Sequence, residues 1–62
     1  MVKPKVRLTG TDGNVFSIIG KVSGALKRAG LDAEAREFTS KAFASESYDA
    51  VLQLCMQYAE VS

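Results

Sequence analysis

The sequence predicts a small α+β domain: an amino-terminal strand, three helices, and a short carboxy-terminal strand that pairs with the first. The first eight residues alternate between apolar and polar side chains, as in a half-buried strand. Three later segments repeat apolar residues every three or four positions, as amphipathic helices do. A chain of 62 residues has room for a single compact domain, spanning 1–62.

The first strand is expected within residues 2–9, with apolar side chains at even positions and lysine or arginine at 3, 5 and 7. Pro4 cannot donate to a strand ladder, so this is an edge strand or one that begins near Lys5. The tail 58–62 also alternates and is expected to pair with 5–8, placing Glu60 near Lys5 or Arg7. Alternating element directions would make the strands parallel, although the sequence leaves that direction open.

The first helix is expected over 15–29, capped by Asp12 or Asn14 and ended by Gly30 in the left-handed conformation. Apolar residues then predict a second helix that begins at Asp32 and stops within 45–47. A third helix follows, with Ser47 as its cap. The expected core is Val6, Leu8, Val15, Ile18, Ile19, Val22, Leu26, Phe38, Phe43, Val51, Leu52 and Cys55.

The residue inventory argues against an enzyme. The chain has no histidine and one cysteine, Cys55, so it lacks the usual base beside a nucleophile and the ligands of a structural zinc site. The segment 10–14 lies where phosphate-binding loops occur, but it lacks the Gly-Lys-Ser/Thr ending and is interpreted as a tight turn. We expect no catalytic residues, no cofactor and no metal.

The amino-terminal segment has no uninterrupted apolar stretch, and no run approaches the ~18 apolar residues of a membrane span. A free cysteine without an export signal favours a reducing compartment. We therefore expect a cytoplasmic protein that does not enter a membrane.

Charge is divided unevenly along the chain. Residues 1–31 carry six basic groups against Asp12 alone, a net charge of +5, whereas residues 32–62 carry two against six acidic groups, a net charge of −4. The two halves attract each other in a folded domain, or the basic half serves an anionic partner.

A line of small residues lies opposite the apolar face of the first helix, flanked by basic side chains. An internal glycine costs a helix about 1 kcal/mol relative to alanine, so two of them suggest close approach by another chain. The alternatives are a glycine line without function, coverage by the tail of the same chain, and a phosphodiester backbone bound by the basic flanks. The candidate interaction face consists of Gly13, Ser17, Gly20, Lys21, Gly24, Lys27 and Arg28. Phe16 stands off the apolar face and is expected to be partly exposed or covered by another helix.

The strand, the Gly10–Asn14 turn with its Asp-Gly pair, and the helix start after it resemble a set of short bacterial and phage-borne proteins. The Tyr48-Asp49-Ala50-Val51-Leu52-Gln53 helix resembles the same set. The resemblance implies a compact domain and carries no activity.

Together these observations favour a small non-enzymatic protein–protein interaction module, whose partner is another protein or a second copy of the chain. The alternative is a nucleic-acid-binding domain that uses the basic amino-terminal half. Near-neutral net charge weighs against this alternative.

Overall fold

The fold consists of three helices and a two-stranded sheet, as the α+β prediction requires. A computed structural model describes residues 3–8 and 14–61. In chain order its elements are β1 (Lys5–Val6), α1 (Val15–Arg28), α2 (Asp32–Phe43), α3 (Tyr48–Tyr58) and β2 (Glu60–Val61).

The two strands are parallel, with Lys5 opposite Glu60 and Val6 opposite Val61. The backbone N–H of Glu60 also donates to the carbonyl of Pro4 at 2.9 Å. The expected proximity of Glu60 to Lys5 is thus confirmed. Among the described residues, each strand pairs over two positions, fewer than the predicted segment 2–9, of which residues 2 and 9 lie outside the described part of the chain.

Local hydrogen bonds fix both ends of α1. The side chain of Asn14 accepts from the N–H of Phe16 at 2.8 Å, which caps the first turn. At the other end Gly30 adopts a φ of +80°, and the N–H of Leu31 donates to the carbonyl of Leu26 at 2.9 Å. This is a Schellman-type ending that favours glycine, and it turns the chain directly into α2. Asp12, the other expected cap, lies outside the described residues.

Helices α1 and α2 form an antiparallel hairpin. The hydroxyl of Thr39 donates to that of Ser23 at 3.2 Å near the middle of the pair. Helix α3 begins at its expected cap, where Ser47 Oγ accepts from the N–H of Ala50 at 3.1 Å. It packs against both other helices, while β1 lies against α1 and β2 lies against α3. The outer seam between α1 and α2 is therefore remote from the sheet.

The core lies where the three helices meet and extends to the sheet. The buried residues are Val6, Ile18, Ile19, Val22, Ala25, Leu26, Ala35, Phe38, Ala42, Val51, Cys55 and Ala59. Leu8, Val15 and Leu52 pack against this core but are only partly buried.

Phe43 is a correction, because the sequence prediction placed it in the core and its side chain is 60% exposed. The buried face of α2 is set by Ala35, Phe38 and Ala42. At 100° per residue, Phe43 points about 140° away from Phe38 and shares a face with Arg36. Phe43 is apolar and directly follows the buried Ala42, but its angular position on α2 differs from that of the core residues.

No helix in the described ranges is long and apolar enough to cross a membrane.

Candidate interaction surface

The predicted interaction face lies along one side of α1. Ser17, Gly20, Lys21, Lys27 and Arg28 are exposed there, and Gly24 is partly covered. Gly13 lies outside the described residues. The face is thus a surface of the domain, not part of its core.

The two glycines of this face have open space in front of them. A β-carbon at Gly20 would meet no atom within 4 Å outside its own helix backbone. One at Gly24 would meet the Arg28 guanidinium at 3.6 Å, an ordinary contact within the same helix. In the described part of the chain, therefore, no other segment covers Gly20.

Beside this face lies a cluster of aromatic residues, one from each of the three helices. Phe16 and Phe43 are 65% and 60% exposed, and their ring centroids are 5.8 Å apart with a 38° tilt. Tyr48, at the start of α3, is 44% exposed. We call Phe16, Phe43 and Tyr48 the aromatic patch. Three large exposed rings at one corner of a 62-residue chain form an unusual concentration of apolar surface.

The aromatic patch borders an open groove of about 350 Å³. The floor of the groove comes from Ile19, Ala42 and Val51, which are core residues. Glu46 is the charged side chain in its lining. A mainly apolar groove of this kind suits a hydrophobic side chain from another molecule.

The opposite end of the α1–α2 seam is basic. Lys27 of α1 and Arg36 of α2 line one groove of about 320 Å³, together with the hydroxyl groups of Ser23, Thr39 and Ser40. Within the described ranges the one ion pair joins Lys41 to Glu37, so neither Lys27 nor Arg36 is paired there with a carboxylate. The seam therefore runs from an aromatic end, through a hydroxyl pair, to a basic end.

A separate polar cluster joins α2 to α3. The Tyr58 hydroxyl donates to Glu37 Oε1, and Lys41 Nζ lies 3.2 Å from the same oxygen. The Tyr58 hydrogen bond, followed by Lys41, lowers the pKa of Glu37. Burial, followed by the bond to Glu37, raises the pKa of Tyr58. The Tyr58 ring also packs edge-on against Phe38, with ring centroids 5.5 Å apart. These contacts stabilise the packing of α3 against α2.

The geometry around Cys55 does not activate its thiol. The side chain is fully buried, and burial raises the pKa of the thiol above its ordinary value. A nucleophilic cysteine requires the opposite shift and access to substrate. Among the residues that the structure describes, no three acidic, cysteine or histidine side chains are grouped so as to hold a metal.

One sequence signal could have revealed the aromatic patch. At 100° per residue, Phe16 lies off the apolar face of α1, and the same angular test places Phe43 off the buried face of α2. Their contact across the hairpin follows only from the fold.

A comparison with protein-family models, curated proteins and solved structures finds no match to this chain.

Proposed function

We propose that this chain is a non-enzymatic module that binds another protein through the aromatic patch. The observation that carries the proposal is the mutual contact of two largely exposed phenylalanine rings, Phe16 and Phe43, at the mouth of an apolar groove. Aromatic side chains at the centre of a patch contribute strongly to protein–protein binding.

Energetic reasoning supports a role for the patch in binding. Burial of a phenylalanine side chain is worth about 1.5–3 kcal/mol, and a core of this size supplies only ~3–5 kcal/mol of net stability. The domain leaves two such side chains in water instead of using them internally. Exposed apolar patches with polar rims are typical of interaction sites.

The non-enzymatic part of the proposal rests on the available chemistry. The sequence contains no histidine, and the thiol of Cys55 is buried with its pKa raised. A free, buried cysteine is suited to a reducing compartment, and we place the module in the cytoplasm on this ground.

Photo-crosslinking tests the proposal. A benzophenone amino acid at position 16 or 43 should yield covalent adducts to one protein in cells that express the chain. Met56, on the last turns of α3, is the matched control because it is 55% exposed and apolar but remote from the aromatic patch. The identified protein should bind the purified chain, and Phe16→Ser should weaken that binding. Equal adducts from position 56, or binding that Phe16→Ser does not change, would refute the proposal.

Nucleic-acid binding is the second candidate, and the basic groove at Lys27 and Arg36 is the observation that favours it. Hydroxyl and basic groups together suit a phosphate oxygen. However, Lys5 of β1 lies on the sheet, which packs on α1 and α3 and not on α2 in the described structure. Lys3 lines a separate groove beside the carboxylates of Glu34 and Glu37. The basic half thus does not gather at one site. Titration with short DNA and RNA at low salt tests this candidate, because phosphate contacts give a steep loss of affinity with added salt.

A further inference from the structure

We propose that the protein bound by this surface is a second copy of the chain, docked face to face along the α1–α2 seam. This inference rests on the proposed function and names its partner. Its basis is that the seam carries complementary groups at its two ends: the rings of Phe16 and Phe43 at one, and the cations Lys27 and Arg36 at the other.

These groups occupy one continuous face. Eleven residues separate Phe16 from Lys27, which is close to three turns and about 16 Å along α1. Seven residues separate Arg36 from Phe43, close to two turns and about 10 Å along α2. Each aromatic residue therefore points in nearly the same direction as the cation of its own helix.

The midpoints of the two spans also coincide. The midpoint between Phe16 and Lys27 lies between positions 21 and 22, and the midpoint between Arg36 and Phe43 lies between 39 and 40. The Thr39–Ser23 hydrogen bond shows that these parts of the helices are side by side. One two-fold axis can therefore relate both pairs of ends, as a self-complementary dimer interface requires.

The charges select the direction of that axis. An axis in the interface and perpendicular to the helices places Phe16 against the partner's Lys27, and Phe43 against the partner's Arg36. Each contact is then a cation over an aromatic ring, a favourable arrangement. An axis along the seam would place the two basic ends on each other, which like-charge repulsion disfavours. We therefore infer the antiparallel arrangement.

Small side chains occupy the middle of the face. In the antiparallel arrangement Gly20 lies opposite the partner's Ser23, and the space in front of Gly20 is open. The two α1 helices can approach closely there without displacing a side chain. This explains why a surface helix carries glycine at this position despite its cost.

The expected dimer is weak. Two adjacent helices of this length present a face of roughly 20 by 20 Å, or about 400 Å². Stable complexes bury about 800 Å² per partner, so this face corresponds to transient association in the micromolar to millimolar range. Measurements must therefore reach high protein concentrations.

Sedimentation equilibrium between about 10 µM and 1 mM is the direct test of such a weak dimer. The average mass of the wild-type chain should rise with concentration from the monomer mass of 6.7 kDa towards twice that mass. Phe16→Ser and Lys27→Glu should each raise the dissociation constant about tenfold or more, since each change removes two symmetry-related contacts. Both residues are exposed, and circular dichroism checks that each variant is folded.

Matched controls separate this face from general effects of charge and apolarity. Arg7→Glu makes a similar charge reversal beside the sheet, and Met56→Ser removes an exposed apolar side chain from α3. Neither should change the dissociation constant.

A wild-type chain that stays monomeric at every concentration would overturn the inference, and so would a dimer that Phe16→Ser and Lys27→Glu leave intact. A monomer that binds DNA or RNA and loses that binding in Lys27→Glu would overturn it in favour of nucleic acid. The proposed function and the second-copy inference can fail independently of each other. A monomeric chain that still crosslinks from position 16 to a different protein would contradict only the second-copy inference.

Discussion

Phe16 in the first turn of α1 and Phe43 at the end of α2 are in direct ring contact, with centroids 5.8 Å apart, at the surface of the domain. The contact joins the open ends of the helical hairpin, while the Gly30 turn closes its other end. Because both rings remain largely exposed, the pair contributes less to folding than its size suggests and leaves most of its apolar area accessible at the surface.

Phe43→Ser should therefore cost little stability, whereas Phe38→Ala should be severely destabilising. Loss of an exposed aromatic pair removes about 0.5–1.5 kcal/mol. Phe38 is fully buried, and truncation of such a side chain typically costs about 3–5 kcal/mol. Urea denaturation of both variants measures the difference. Similar losses for the two would mean that Phe43 belongs to the core after all.

The fold was largely predictable because its signals are local. Asn14, Ser47 and Gly30 set helix ends through hydrogen bonds and backbone geometry within a few residues. The candidate surface was less predictable. The contact between Phe16 and Phe43 depends on how α1 crosses α2, and periodicity along a single helix does not contain that information.

The direction of strand pairing is also not contained in the local sequence. The sequence leaves this direction open, with alternation of element directions pointing to a parallel pair, and the structure shows that the pair is parallel. Nothing in the residues of β1 and β2 themselves distinguishes parallel from antiparallel pairing over two positions. Five elements in sequence are joined by four connections, and an even number of chain reversals leaves β2 running in the same direction as β1.

Alanine substitutions at Gly20 and Gly30 should have opposite effects on stability. A β-carbon at Gly20 meets no atom within 4 Å, so Gly20→Ala should stabilise the monomer by about 1 kcal/mol through helix propensity. Gly30 has a φ of +80°, where an L side chain is strained, so Gly30→Ala should cost about 1–2 kcal/mol. Thermal unfolding measures both, with about 4–8 °C per kcal/mol in a domain of this size. A lower melting temperature for Gly20→Ala would show that another group of the folded chain already fills the space in front of Gly20.

The Tyr58–Glu37 hydrogen bond should make stability sensitive to acid. Because this bond lowers the pKa of Glu37 in the folded chain, its stabilisation is present above the carboxyl's ordinary pKa and is lost as pH falls through the lowered value. Tyr58→Phe should raise the pKa of Glu37 towards its ordinary range and make unfolding less dependent on acidic pH. Carbon-detected NMR titration of the Glu37 carboxyl gives the pKa directly.

Tyr48→Phe is the control for that experiment, since it removes a tyrosine hydroxyl at the opposite end of α3. The Glu37 titration should not change in this variant. A Glu37 pKa that is the same in wild type and Tyr58→Phe would show that Lys41, and not the tyrosine, holds the carboxylate.

The thiol of Cys55 should react only when the domain opens. The side chain is fully buried and its pKa is raised by burial, so both access and thiolate formation are suppressed in the folded state. Reaction with a disulfide reagent at pH 8 should therefore be slow in buffer and rapid in guanidinium. Phe38→Ala, which weakens the surrounding core, should accelerate the native-state reaction in proportion to the population of open molecules. A fast reaction in the wild-type chain, unaffected by Phe38→Ala, would place the thiol at the surface and reopen nucleophilic chemistry for this domain.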